Sequence, residues 1–234
     1  MSGNAWLFDK KPNMINPNPS FGVGLLMRVP QHNAFWRFAI VPALLCTCLT
    51  ACSSTPQRPH HTSTSNACVL FQKHPSWYWE ALQTYNRWQV PISVQMAIMQ
   101  RESDFQAGAR PQKKTYFGFI PSATNLTSAY GYAQALNGTW KQYQNDTKRY
   151  NTTRDQFGDA SDFIGWYCNK ANKTLKIQLN NAYSLYLAYH EGLAGYANQT
   201  YKDKPWLLDV AVTVQDRANE YRQQIRQCKF NLPR

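Results

Sequence analysis

The chain has 234 residues, room for one folded domain of ordinary size with a leader and a linker. Hydrophobic residues make up 43% of it, enough to build a packed core. The net charge of +12, from 25 Lys and Arg against 13 Asp and Glu, argues against a cationic partner. It favours nucleic acid, an acidic membrane face or an acidic polymer.

On charge alone nucleic acid would lead, but the N-terminus argues against it. Residues 38–49 read Phe-Ala-Ile-Val-Pro-Ala-Leu-Leu-Cys-Thr-Cys-Leu, preceded by Arg28 and Arg37 and followed by Thr50-Ala51-Cys52. This apolar run is too short for an ordinary membrane-spanning helix, which needs roughly 20 residues. Basic region, short apolar region and small residues at a cut site make a secretory signal over residues 27–51. Leu49-Thr50-Ala51-Cys52 resembles a bacterial lipobox, which implies cleavage before Cys52 and a lipid on its thiol. The alternative is an uncleaved membrane anchor; either reading exports the domain. Ser53 after the lipidated cysteine resembles the outer-membrane-sorted type, facing the periplasm. Residues 1–26 are rich in Asn and Pro and suit a signal poorly, so Met27 is the expected start.

Residues 52–67 are polar and rich in Ser, Thr and Pro, and are expected to form a disordered tether. The folded domain is expected over residues 68–230. Three cysteines fall in it: Cys68, Cys168 and Cys228. An exported domain can hold a disulfide, and sequence alone does not fix the pairing. Cys68 opens the folded region and Cys228 nearly closes it, so a bridge between them is expected, with Cys168 free.

Within the domain the pattern is helical and no convincing alternating strand is present. Ser76–Trp88 places Trp77, Tyr78, Ala81, Leu82, Tyr85 and Trp88 at steps of three and four, and Ile92–Ser103 follows Pro91. A helix is expected from Asp159 to Lys170, and another from Asn180 to Glu191, ended by Gly192 and Gly195. That second helix is apolar nearly all round, as a central helix is. Pro205 opens the last helix. Residues 103–131 hold a long irregular stretch, either a lid or cleft wall or a loop whose aromatics pack down. Asn137-Gly138-Thr139 reads as a chance glycosylation triplet behind a bacterial-type leader.

Val94, Ile98 and Glu102 are four apart on one helix face. If Val94 and Ile98 face the core, the Glu102 carboxyl points to apolar surroundings, which raise a carboxyl pKa and suit a general acid. Periodicity alone fits a structural glutamate better. Two further clusters shift the balance. Tyr130-Gly131-Tyr132-Ala133-Gln134 and Ala188-Tyr189-His190-Glu191-Gly192 offer the aromatic faces and amide or carboxylate groups that bind sugars. His190-Glu191 is not a zinc motif, because Ala194 stands where the second histidine is required.

Glu102-Ser103, then Gly131-Tyr132-Ala133-Gln134, then Ala188-Tyr189-His190-Glu191-Gly192 resembles the soluble lytic transglycosylase family. Tyr132 and Ala133 replace the family's Leu and Met, His190 its Asn and Glu191 its Ala. The resemblance implies a mainly α, lysozyme-like domain with a substrate cleft, acting on peptidoglycan without metal or cofactor; a monomer is expected. It implies Glu102 as the catalytic acid and base, supported by Ser103, and carries over Gln134 and Tyr189 as sugar contacts; by residue type Tyr130, Tyr132, His190 and Glu191 are further candidate sugar contacts. The bond cut would join N-acetylmuramic acid to N-acetylglucosamine, leaving 1,6-anhydromuramic ends. Glu191 keeps a second reading open, a muramidase in which it positions water. A non-catalytic wall-binding lipoprotein is the third.

Overall fold

The computed structural model describes residues 63–111, 115–116, 120–121 and 127–232. The expected leader, Cys52 and the upstream extension lie outside the described residues. The described chain is mainly α, with seven α-helices and one minimal β-pair: α1 (Ala67–Lys73), α2 (Pro75–Trp88), α3 (Ile92–Ser103), β1 (Thr115–Tyr116), β2 (Ile120–Pro121), α4 (Asn137–Thr147), α5 (Phe157–Leu175), α6 (Ala182–Ala197) and α7 (Pro205–Cys228).

Local chemistry sets most boundaries. Asn66 and Asn181 cap α1 and α6, their side-chain oxygens accepting from Val69 N at 3.1 Å and Ser184 N at 2.9 Å. Pro75 and Pro205 occupy first turns, where the missing N–H costs nothing. α2, α3 and α5 each end on a non-glycine residue in the left-handed region: Gln89, Asp104 and Lys176.

Several sequence expectations need correcting. Ser63–Ser65, within the stretch expected as a tether, form a 3-10 turn. Backbone oxygens there are held by α7: Tyr221 donates to Thr64 O, and Arg217 and Gln224 donate to Ser65 O. The seven-residue α1 and all of α4 have no counterpart in the sequence reading. α4 buries only Thr139, Trp140 and Tyr143, which is too few to show a periodic stripe. α5 extends beyond both expected ends. In the irregular stretch β1 pairs antiparallel with β2, a two-residue ladder too short to alternate. α6 breaks at Gly192 (φ 77, ψ 161) yet resumes through Gly195 to Ala197.

The central position belongs to α3 as much as to α6. Every residue from Ser93 to Met99 is buried, and α3 packs against α2, α5, α6 and α7. Two buried polar knots fix the helices around it. Gln95 donates to Ala81 O at 3.2 Å and Val90 O at 2.7 Å and accepts from Ser161 Oγ at 2.7 Å, tying α2, α3 and α5. Asp162 accepts from Trp88 Nε1 at 2.8 Å, Tyr143 OH at 2.7 Å and the guanidinium groups of Arg87 and Arg149. Buried polar groups that are fully bonded in this way specify one packing arrangement. Cys68 on α1 is bonded to Cys228 at the end of α7, and Cys168 is free and buried, as the cysteine positions predict.

Candidate active site

Glu102 sits in the last turn of α3. Just beyond it Asp104 (φ 49) and Phe105 (φ 59) both take left-handed backbone, turning the chain sharply out of the helix. The buried Phe105 ring holds that turn against Trp77, at 5.7 Å between centroids. Val94 and Ile98 are wholly buried on the face that Glu102 continues, and Glu102 itself is half-buried where the helix leaves the core.

Across from it runs α6. Tyr186 and Tyr189, three residues apart, present one face of that helix. The Tyr186 hydroxyl shares hydrogen bonds with the Glu102 carboxylate and the Arg101 guanidinium. Burial pushes both phenols well above their ordinary pKa, and the Glu102 charge pushes them further in the same direction. Both therefore stay protonated around neutrality, Tyr186 as a donor to the carboxylate. Tyr189 donates at 2.6 Å to the carbonyl of Ala133. Ser103 is buried, and its hydroxyl donates back along its own helix to Met99 O at 3.2 Å.

The 130–134 segment is fastened to the exit of α3. Gly131 N donates to Ala109 O at 3.0 Å, and Gln134 Nε2 donates to the same oxygen at 2.9 Å and to Gly131 O at 2.8 Å. Gln134 is buried, and its amide nitrogen is taken up by Ala109 O and Gly131 O. Its side-chain oxygen is the atom left to accept from a ligand. Gly131 has no substitute here: φ is +77, and a Cβ would stand 2.1 Å from Arg154 O. Tyr132 packs edge-on against the stacked pair Trp77 and Phe157. Tyr130 donates to Asp155 Oδ2 at 3.2 Å.

His190 and Glu191 serve a different connection. Glu191 is buried, and Lys204 Nζ lies 2.8 Å from each of its carboxylate oxygens. Thr200 donates to one of those oxygens, and His190 Nδ1 is 3.1 Å from the other. Burial pushes the Glu191 carboxyl up, but the bonds from Lys204, Thr200 and His190 outweigh it and hold the pKa below the ordinary value. Gly195 makes room, since a Cβ there would approach Glu191 Cβ to 3.0 Å. His190 packs edge-on against Trp206, with ring centroids 5.4 Å apart. Burial holds its imidazole below its ordinary pKa, against the pull of Glu191.

The structure thus brings Glu102, Tyr189 and, through Ala133, the Gly131–Gln134 segment into one assembly. Tyr130 and Tyr132 flank it. Glu191 is committed to the α6–α7 connection. Sequence reasoning missed Tyr186 as a partner of Glu102, although its three-residue step from Tyr189 placed both on one face. It also missed Arg101 and Lys204.

A helical domain with a carboxylate at the end of its central helix, facing tyrosines of a second buried helix, has the architecture of lysozyme-like glycan-cleaving domains. The chain belongs to the transglycosylase SLT domain family, which matches it over residues 40–228. That membership points to lytic transglycosylase activity on peptidoglycan in general. No curated protein and no solved structure matches the chain.

Proposed function

We propose that this domain is a lytic transglycosylase that cleaves between N-acetylmuramic acid and N-acetylglucosamine, with Glu102 as both acid and base. The protonated Glu102 gives its proton to the glycosidic oxygen as the bond from that oxygen to C1 of the muramic sugar breaks. The resulting carboxylate then takes the proton of the 6-hydroxyl on the same sugar. That oxygen attacks C1 and closes a 1,6-anhydro ring, and no water is consumed.

The observation that carries this reading is the contrast between two glutamates. Glu102 stands at the helix exit against the Tyr186 hydroxyl, whereas Glu191 is buried under three donors. An inverting muramidase needs a second carboxylate roughly 6.5–9.5 Å from the acid, able to activate water. Glu191 is the only other carboxylate in the motif segments, and it is engaged by Lys204.

In this reading the enzyme acts as a monomer, exported and lipid-anchored through Cys52, facing the periplasm from the outer membrane. The Cys68–Cys228 bridge is consistent with an oxidising compartment. The test is mass spectrometry of the muropeptides released from peptidoglycan by the purified chain. Anhydromuramic ends are expected. Reducing ends, heavier by one water, would assign a hydrolase, and no released fragments would assign a binding protein.

A further inference from the structure

Two arginines converge on Tyr130 with too little negative charge to balance them. Arg110 lies over the Tyr130 ring at 4.3 Å from the centroid, and Arg154 at 5.3 Å. The Ala109–Gly131 backbone bond sets Arg110 beside this ring, on the same loop that leaves α3 after Glu102. Arg154 is fixed by donating to Ser128 O at 2.8 Å and Ala135 O at 2.7 Å. Burial and the charge of Arg110 both lower its pKa, so the two guanidinium groups feel one another. Among the described residues neither arginine has a carboxylate within ion-pair distance. Among the described residues Asp155, bonded to the Tyr130 hydroxyl, is the acidic group close by, and it offsets one positive charge of two.

Ser128, whose carbonyl Arg154 holds, also lines a cavity of about 560 Å³ at the start of α4, with Thr139, Lys141 and Gln142. The Thr139 hydroxyl there is buried and has no hydrogen-bond partner among the described residues. Arginine forks match planar carboxylates, and a ring beneath them holds them in place. In the peptidoglycan reading above, the substrate carries such groups on the peptide borne by the muramic lactyl ether, beside the bond to be cut.

We infer that Arg110 and Arg154, arrayed on Tyr130, bind a carboxylate of the peptide stem and direct the rest of the stem toward the α4 cavity. The enzyme then prefers peptide-bearing strands to bare glycan. This rests on the proposed activity, and the experiment separates the two. Cleavage of intact strands is compared with cleavage of strands stripped of peptide by an amidase, for the full chain and for Arg110→Gln and Arg110→Lys. Arg110 is exposed, so its replacement leaves the fold intact. Arg110→Gln is expected to raise KM on intact strands roughly tenfold, as loss of a bond to a charged group does, with kcat and the stripped-strand rate unchanged. Arg110→Lys recovers part of the loss. Equal effects on both substrates, or none, overturn the stem site while leaving the glycosidase reading intact. If the unaltered chain cleaves neither substrate, the activity fails; titration calorimetry with the free stem tripeptide, native and with its carboxylates amidated, then decides the site alone. Binding that amidation does not weaken, or binding of phosphatidylglycerol vesicles in its place, overturns it.

Discussion

The Tyr189 hydroxyl reaches from α6 to the carbonyl of Ala133, 2.6 Å away, and so locks the helix facing Glu102 to the segment that flanks it. Both residues are buried, and water cannot replace the bond. Tyr189→Phe keeps the ring and leaves the Ala133 oxygen without this donor. A loss of about 1–2 kcal/mol is expected in urea denaturation. Activity should fall with it, by less than for Glu102 variants, because the phenol orients the site and need not transfer the proton.

Glu102→Gln should abolish glycan cleavage and leave the fold unchanged by circular dichroism. The amide still accepts from the Tyr186 hydroxyl but has no proton to give and take. Removal of a general acid and base costs roughly 10²–10⁴ in rate. A variant that retained the parent rate of release, measured by chromatography of muropeptides, would remove Glu102 from the mechanism.

Glu191 and Lys204 should behave as a structural pair. Lys204→Ala leaves the buried carboxylate without its ammonium. The expected cost is on the order of 2–3 kcal/mol, below that of a fully buried pair because Lys204 is partly open to water. Glu191→Gln should lower stability and leave the chemical identity of the product unchanged. The pH dependence has a definite sign. His190 is held below its ordinary 6.5 and Glu191 below its ordinary 4.5, so in both cases the unfolded chain takes up protons first on acidification. Their stabilisation is complete above the unfolded values. It declines as pH falls below 6.5 for His190, and below 4.5 for Glu191 until the lower folded value is passed. Denaturation midpoints across about pH 7 to pH 4 should therefore fall, and Glu191→Gln should flatten the acidic limb.

The bridge between Cys68 and Cys228 closes a loop of 160 residues. Replacing both by serine should cost about 2–5 kcal/mol. The fully buried Cys168, with its thiol pushed up to about 12, should resist alkylation until the chain unfolds. Peptide mapping without reductant, and thiol labelling before and after denaturation, check the two parts.

What could be read from the sequence was whatever repeats at helical spacing or sits at a chain end. Val94, Ile98 and Glu102 marked one face of α3 through their four-residue step, though only the later motif segments singled out Glu102, and the end positions of Cys68 and Cys228 suggested their pairing. α4 was invisible because three buried side chains carry it, and its partners lie on α5. The fate of Glu191 was equally hidden. Its cation is thirteen residues on, and the helix break at Gly192 together with the tight approach of Gly195 brings the two together. Tyr186 read as one more apolar position in a densely apolar helix. Only packing of α6 against α3 turns its hydroxyl into a ligand of Glu102.

The sulfur–sulfur bond also decides how the domain bears load. A pull on the chain upstream of Ser63 passes the hydrogen bonds that hold Thr64 and Ser65 to α7 and then reaches α1, which has only seven residues. The covalent link passes that force at once to α7, a helix of 24 residues that packs along α3 and α6. Tension on the N-terminal end is thereby spread over the longest helix of the domain, and the seat of Glu102 is spared from unravelling one turn at a time.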